Sequence, residues 1–247
     1  MRFDLNINAH HRSRLRKRFL TQGLNGFEAH NVLELLLFYS IPRQDTNPLA
    51  HRLIERFGSL SRVFDAPYEE LLSVEGIGEN SATLIKMIPH LARRYITDSE
   101  KSTAPYDTAK KLGEFFVGRF IGETVEVVLL AMLDYKYGMI DCIELHRGSV
   151  NSSYLNSRLI IEQMFSKRAA LAVLAHNHPY GMAIPSQDDI HTTRMIKQSL
   201  SVVDVCLLEH FVVADNRFMP IMVSPSGELR SDSESDLPKD FYADWQI

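Results

Sequence analysis

From Val125 to Asp134 the chain is almost continuously apolar, and from Ala169 to Ala175 it is so again. Runs of this length without polar alternation are characteristic of strands buried on both faces. They are too short to cross a membrane as helices, which takes ~18–20 residues. Two such strands need cover above and below, so neighbouring segments must supply helices. Thr108 to Phe120, Leu155 to Arg168 and Asp188 to Leu200 all read as helices. Gly138 to His146 reads as the hairpin partner of the first run. Val202 to Leu208 and His210 to Ala214 read as two further strands, and Asp215–Asn216 as a turn into a last one, Arg217 to Val223. Strands interleaved with helices point to an α/β or α+β domain.

Residues 11–96 have a different texture, with no strand-like alternation. Arg12 to Leu20 reads as a short basic helix. Glu28 to Tyr39 is apolar on most sides and should be buried, with Pro42 stopping it. Asn47 is expected as an N-cap with Pro48 at the first helical position, and Gly58 as the stop. Leu60 to Phe64, Leu71–Leu72 and Leu84 to Leu91 continue as short helical pieces. The polar stretch 97–106, with Pro105 near its end, reads as a linker. The acidic tail 228–247 is low in apolar residues until Phe241, Tyr242 and Trp245 and reads as flexible.

Composition closes off several classes. Cys142 and Cys206 are the two cysteines, which excludes a disulfide scaffold and a Cys-rich zinc finger and favours a reducing, cytoplasmic setting. The polar, then basic N-terminal stretch is not a secretory signal. A net charge of −4 argues against a broadly basic nucleic-acid binder. The charge is uneven, however: residues 1–100 carry 13 Lys/Arg against 12 Asp/Glu, while residues 101–247 carry 14 against 19. A basic knot from His10 to Arg18 can meet phosphate, or can be a solvated helix face.

Two constellations carry chemistry. The first is Val74-Glu75-Gly76-Ile77-Gly78-Glu79, a glycine turn between two helical pieces. The glycines permit a tight turn, and the unpaired N–H groups at the following helix start can meet an anion. Ile77 would plug the turn into the core. This resembles the helix-hairpin-helix family, whose hairpins contact the DNA backbone without reading sequence. The other reading is a glycine turn that only packs helices together.

The second is His176-Asn177-His178-Pro179, then Pro185-Ser186-Gln187-Asp188-Asp189. Strand alternation puts His176 and His178 on one side of a buried strand end. Asp189 opens a helix, from which its carboxylate can reach back. Two histidines and an aspartate suit a tetrahedral zinc with one open position, whose water becomes available as hydroxide near neutral pH. Yet Ser186-x-x-Asp189 is also an ordinary capping box.

The joint pattern is similar to the JAMM signature of the JAB/MPN metal-dependent hydrolases. His-Asn-His-Pro-x-Gly-x-x-x-Pro-Ser-x-x-Asp resembles most closely the RadC (UPF0758) family, and the glycine hairpin in front matches that family's architecture. The resemblance implies two domains. An N-terminal all-α helix-hairpin-helix domain spans 8–96, and an α/β JAB/MPN-like domain, of the cytidine-deaminase-like class, spans 107–227. It implies Zn2+ held by His176, His178 and Asp189, with Ser186 steadying the oxyanion or the metal-bound water. It also implies a glutamate general base, best matched by Glu126, with Glu144 and Glu162 as competitors. Zinc-dependent hydrolysis of an amide bond in a protein or peptide follows, with DNA-backbone contact at Gly76, Ile77 and Gly78. The alternative is a DNA-binding or repair-associated module whose metal is structural or vestigial.

Three positions depart from the RadC pattern. Tyr180 stands where Ser is usual, Ser157-Arg158-Leu159 replaces Pro-Arg-Glu, and Glu209-His210 replaces Asp-His. None removes a ligand, and Tyr180 can reshape a substrate cleft. There is no P-loop, no His-Glu-x-x-His helix and no Cys-x-x-Cys pair, so neither an ATPase, a zincin nor a deaminase is supported.

Overall fold

The computed structural model describes residues 2–99, 104–148, 156–222 and 241–242. The chain divides into two compact units, Met1–Ala92 and Arg93–Ile247. No helix among the described residues is long and apolar enough to cross a membrane.

The first unit is helical: α1 (Arg2–Gln22), α2 (Ala29–Leu37), α3 (Asn47–Phe57), α4 (Leu60–Asp65), α5 (Tyr68–Leu72) and the start of α6 (Glu79–Ser99). Leu33, Leu37, Leu53, Val63, Leu71 and Ile85 are fully buried in its core. Gly58 ends α3 in the left-handed region at φ 87°, a conformation glycine adopts without the Cβ penalty.

Three expectations change here. The basic segment is not short but part of the 21-residue α1. The piece expected at Leu84 to Leu91 is part of a longer helix, α6, which contains Pro89 and takes in residues 97–99 of the expected linker. Residues 100–103 lie outside the described residues. The N-cap of α3 is Thr46, not Asn47. The reason is a buried carboxylate. Glu34 is completely buried, and the Asn47 side-chain amide donates to it at 3.0 Å. Thr46 Oγ1 donates to the Glu34 carbonyl at 3.1 Å, and His11 Nε2 lies 2.7 Å from Glu34 Oε1. A buried charge needs such partners, and they outweigh a local cap.

The second unit is a mixed sheet with helices on both faces. Its elements are α7 (Ala109–Arg119), β1 (Val127–Leu133), β2 (Met139–Arg147), α8 (Ser157–Lys167), β3 (Leu171–Asn177), α9 (Gln187–Ser201), β4 (Cys206–Ala214) and β5 (Arg217–Pro220). The strand order is β2-β1-β3-β4-β5. β3 and β4 are parallel, joined through α9, and the other neighbours are antiparallel. One face packs Phe116, Ala131, Val173 and Phe211 beneath α7. The other packs Leu130, Met132, Leu174, Ile160 and Ile196 beneath α8 and α9. Both apolar runs are therefore central strands, β1 and β3, covered on two sides as their composition demands.

The expected pair of strands 202–208 and 210–214 is one strand, β4. Glu209 looks like an interruption in sequence, but it is completely buried inside the strand. Its carboxylate accepts from the His210 and Met222 backbone N–H groups, each at 2.8 Å, and from the Tyr242 hydroxyl. The expected flexible tail is corrected at two residues. Phe241 is 2% exposed in the core beneath α7, and its carbonyl accepts from Ala109 N at 2.8 Å. Residues 228–240 and 243–247 lie outside the described residues, as does Leu155.

Candidate metal centre

The parallel strand β3 ends at the site. Its last residue, Asn177, points away from the site and ties two strands together. Asn177 Oδ1 accepts from Val127 N at 2.7 Å, and its amide donates to the Val125 carbonyl at 3.0 Å. His178 N donates to the Val213 carbonyl at 2.7 Å, which carries strand geometry one residue further. His176 and His178 therefore share a face, with their Nε2 atoms 3.2 Å apart.

The N-terminus of α9 brings the third group. Ser186 and Asp189 form a reciprocal capping box. Asp189 Oδ2 accepts from Ser186 N and Ser186 Oγ, both at 2.7 Å, and Asp189 N donates to Ser186 Oγ at 3.1 Å. The other oxygen, Oδ1, lies 3.4 Å from His176 Nε2. The cap uses one oxygen of the carboxylate and leaves the other facing His176, so capping does not preclude a metal-binding role. His176, His178 and Asp189 each offer an atom within 4.8 Å of the others. Burial alone would raise the Asp189 carboxyl. The hydrogen bonds that its Oδ2 accepts from the Ser186 hydroxyl and N–H pull it the other way, toward the ionised form.

Proton positions show what the arrangement wants. The Met182 carbonyl lies 3.0 Å from His178 Nδ1 and can only accept, so Nδ1 carries the proton and Nε2 is bare. His176 Nδ1 lies 3.0 Å from His210 Nε2. His210 is 1% exposed, and burial first, then the nearness of His176, pushes its pKa well below the usual value, so it is neutral. Three atoms able to hold a cation, His176 Nε2, His178 Nε2 and Asp189 Oδ1, thus face one another.

The remaining residues divide clearly. Glu126 immediately precedes β1. Val128, two residues on, is the Cα partner of His176, so alternation puts Glu126 on the His176 face. Glu144 is opposite Leu129, on the other parity, and pairs with Arg147 at 2.7 Å. Glu162 is exposed on α8 and pairs with Arg158 at 2.9 Å. Ser186 gives its hydroxyl proton to Asp189 and so orients that carboxylate. Tyr180, Met182 and Ile184 expose apolar side chains in the loop between the ligands.

In the first unit, the glycine turn joins α5 to α6. Gly76 takes φ 95°, and a Cβ there would meet Leu49 and Arg52 at 3.5 Å. Ile77 is buried, and its N–H already donates to the Val74 carbonyl at 3.0 Å, so this residue offers an anion nothing. Gly78 is open, with nothing within 4 Å of a Cβ. Arg52 and Arg56 border the turn, donating to the Glu75 carbonyl and to Ser73 Oγ.

The sequence reading overlooked His210 and Thr193 as parts of the site. Their signal is weak: a histidine inside an apolar strand and a threonine one helical turn after Asp189.

Comparison with known proteins agrees with this picture. Residues 106–224 match the family model described as a RadC-like JAB domain. A UPF0758 protein of Fusobacterium nucleatum is 31% identical over 222 residues, covering 87% of this chain and 96% of the relative. One from Ruegeria pomeroyi is 33% identical over 203 residues, covering 82% and 91%. One from Cupriavidus pinatubonensis is 36% identical over 166 residues, covering 67% and 73%. A mixed sheet with two histidines at a strand end and an aspartate at the next helix start, matched over nearly the full length of such relatives, makes this chain a member of the RadC-like UPF0758 family.

Proposed function

We propose that the protein is a zinc-dependent hydrolase of the JAMM type that cleaves an amide bond in a protein or peptide. The observation that carries this is the convergence of His176 Nε2, His178 Nε2 and Asp189 Oδ1. The set fits zinc. Nitrogen ligands ~2.05 Å from a tetrahedral ion stand about 3.3 Å apart; His176 Nε2 stands 3.2 Å from His178 Nε2 and 3.4 Å from Asp189 Oδ1, and all three atoms lie within 4.8 Å of one another. Two imidazoles and one carboxylate leave a fourth position for water or substrate.

Zinc held there supplies Lewis acidity and makes a bound water acidic near neutral pH. The chain's own groups do the rest. Asp189 contributes negative charge and is kept ionised by its cap. Ser186 holds that carboxylate in place. Glu126, on the His176 face, is the base that takes a proton from water and returns it to the leaving amine. Glu126→Gln should keep full zinc content and lose hydrolysis of a peptide and isopeptide panel. Equal activity in Glu126→Gln and wild type would remove Glu126 from the mechanism. No hydrolysis by the zinc-loaded wild type itself would favour the reading of a DNA-associated module with a structural metal.

A second element concerns the glycine turn, read as a helix-hairpin-helix that contacts the DNA backbone, so that the hydrolase acts on DNA-bound protein. Open Gly78 beside Arg52 and Arg56 supports it. Binding to random duplex DNA should fall steeply with salt and weaken in Gly78→Glu. Salt-independent or absent binding would leave the turn a packing device.

A further inference from the structure

The chain of contacts behind His176 has a forced direction. Thr193 Oγ1 lies 2.7 Å from the Asp189 carbonyl, which can only accept, so the hydroxyl's one proton points there. Thr193 Oγ1 is then an acceptor toward His210 Nδ1, also at 2.7 Å, so His210 carries its proton on Nδ1. The ring nitrogens of His210 face Thr193 and His176, neither of them an anion. A neutral imidazole has a single N–H, so His210 Nε2 accepts. The proton spanning the 3.0 Å to His176 therefore belongs to His176 Nδ1. His176 Nε2 is left bare, facing His178 and Asp189.

A strand irregularity makes this chain possible. β4 pairs Ala172 with Leu207 but Val173 with Glu209, so Leu208 is an extra residue. The bulge shifts the side-chain parity of everything after it. Without it, His210 would stand opposite Ala175, on the α7 face. With it, His210 stands opposite Leu174, on the face shared by His176 and α9.

We infer that His210, backed by Thr193, is a positioning residue that locks His176 in its Nδ1–H tautomer and aims its Nε2 lone pair at the metal position. This rests on the metal-centre reading above. It also explains why one helix carries both a ligand and the anchor of another ligand: Asp189 and Thr193 sit one turn apart on α9. His178 is fixed differently, by the main-chain carbonyl of Met182, so the side-chain lock serves His176 alone.

The test uses the full chain and two readouts. Long-range 15N NMR of histidine-labelled, metal-free protein at pH 8 reports tautomers, and zinc titration against a competing chelator reports affinity. Wild type should show His176 as the Nδ1–H tautomer. His210→Phe, which keeps bulk but no acceptor, should lose that fixed tautomer and bind zinc 10–100-fold more weakly, the usual effect of removing such a partner. His210→Gln, which can accept from His176 and donate to Thr193, should recover most of the affinity. If His210→Phe does not fold, Thr193→Val removes the proton acceptor with little change in volume and should give a mixed tautomer. An Nε2–H tautomer in wild type overturns the inference, as does unchanged zinc affinity in His210→Phe and Thr193→Val. A wild type that takes up no zinc overturns the metal-centre reading as well.

Discussion

Ser186 and Asp189 cap each other at the start of α9, and the oxygen the cap leaves over is the one that faces His176. The helix start thus holds in place the carboxylate that the proposed metal centre uses. A carboxylate fixed by two hydrogen bonds to one oxygen loses little freedom when the other oxygen meets a cation.

Ser186→Ala should therefore act twice. Removing an N-cap side chain costs about 0.5–2 kcal/mol, visible as a lower melting temperature of the metal-free protein. Asp189 also loses the hydroxyl that orients it, so zinc should bind more weakly at unchanged stoichiometry. A melting shift with no change in zinc affinity would separate the cap from the site.

Glu209 predicts an unusual pH dependence. Complete burial raises its pKa from the ordinary 4.5 to about 7, against the opposing hydrogen bonds from Tyr242 and from the Met222, His210 and Ile221 backbone. Between those values the folded chain holds a proton that the unfolded chain has released. Stability from this group is therefore lost as pH rises, with the full cost, about 3 kcal/mol, present above pH 7. Glu209→Gln should flatten the slope and gain stability at pH 8, measured by denaturant unfolding at pH 5 and pH 8. Stability of the wild type that rises over this interval while the variant's stays flat would contradict the burial account.

Gly113 lies where α7 passes close over β5. A Cβ there would stand 2.1 Å from the Phe218 ring of β5. Helix propensity alone would make Gly113→Ala stabilising. Overpacking should win, at about 1–3 kcal/mol, and the melting temperature should fall. Phe218→Leu in the same chain should restore part of the loss.

Much of this was legible in the residues. Apolar runs announced β1 and β3, and the His-x-His spacing, with Ser and Asp following, announced the three groups that the fold brings together, His176, His178 and Asp189. What escaped depended on partners far away in sequence. Asn47 has every local mark of an N-cap, but Glu34, 13 residues earlier, claims its side chain. Glu209 reads as a strand break because a carboxylate costs a great deal to bury. Tyr242, 33 residues on, and the backbone N–H groups of His210, Met222 and Ile221 make it tolerable. His210 reaches the site through a bulge, and a register shift leaves no periodic signal in a single strand.

The most direct test of the metal centre is the zinc content of purified wild type beside Asp189→Ala, each after zinc supply and removal of excess by gel filtration. One equivalent in wild type and its loss in the variant is the predicted result. No zinc in either protein, or one equivalent in both, would contradict the three-ligand centre and leave Ser186–Asp189 as a helix cap alone.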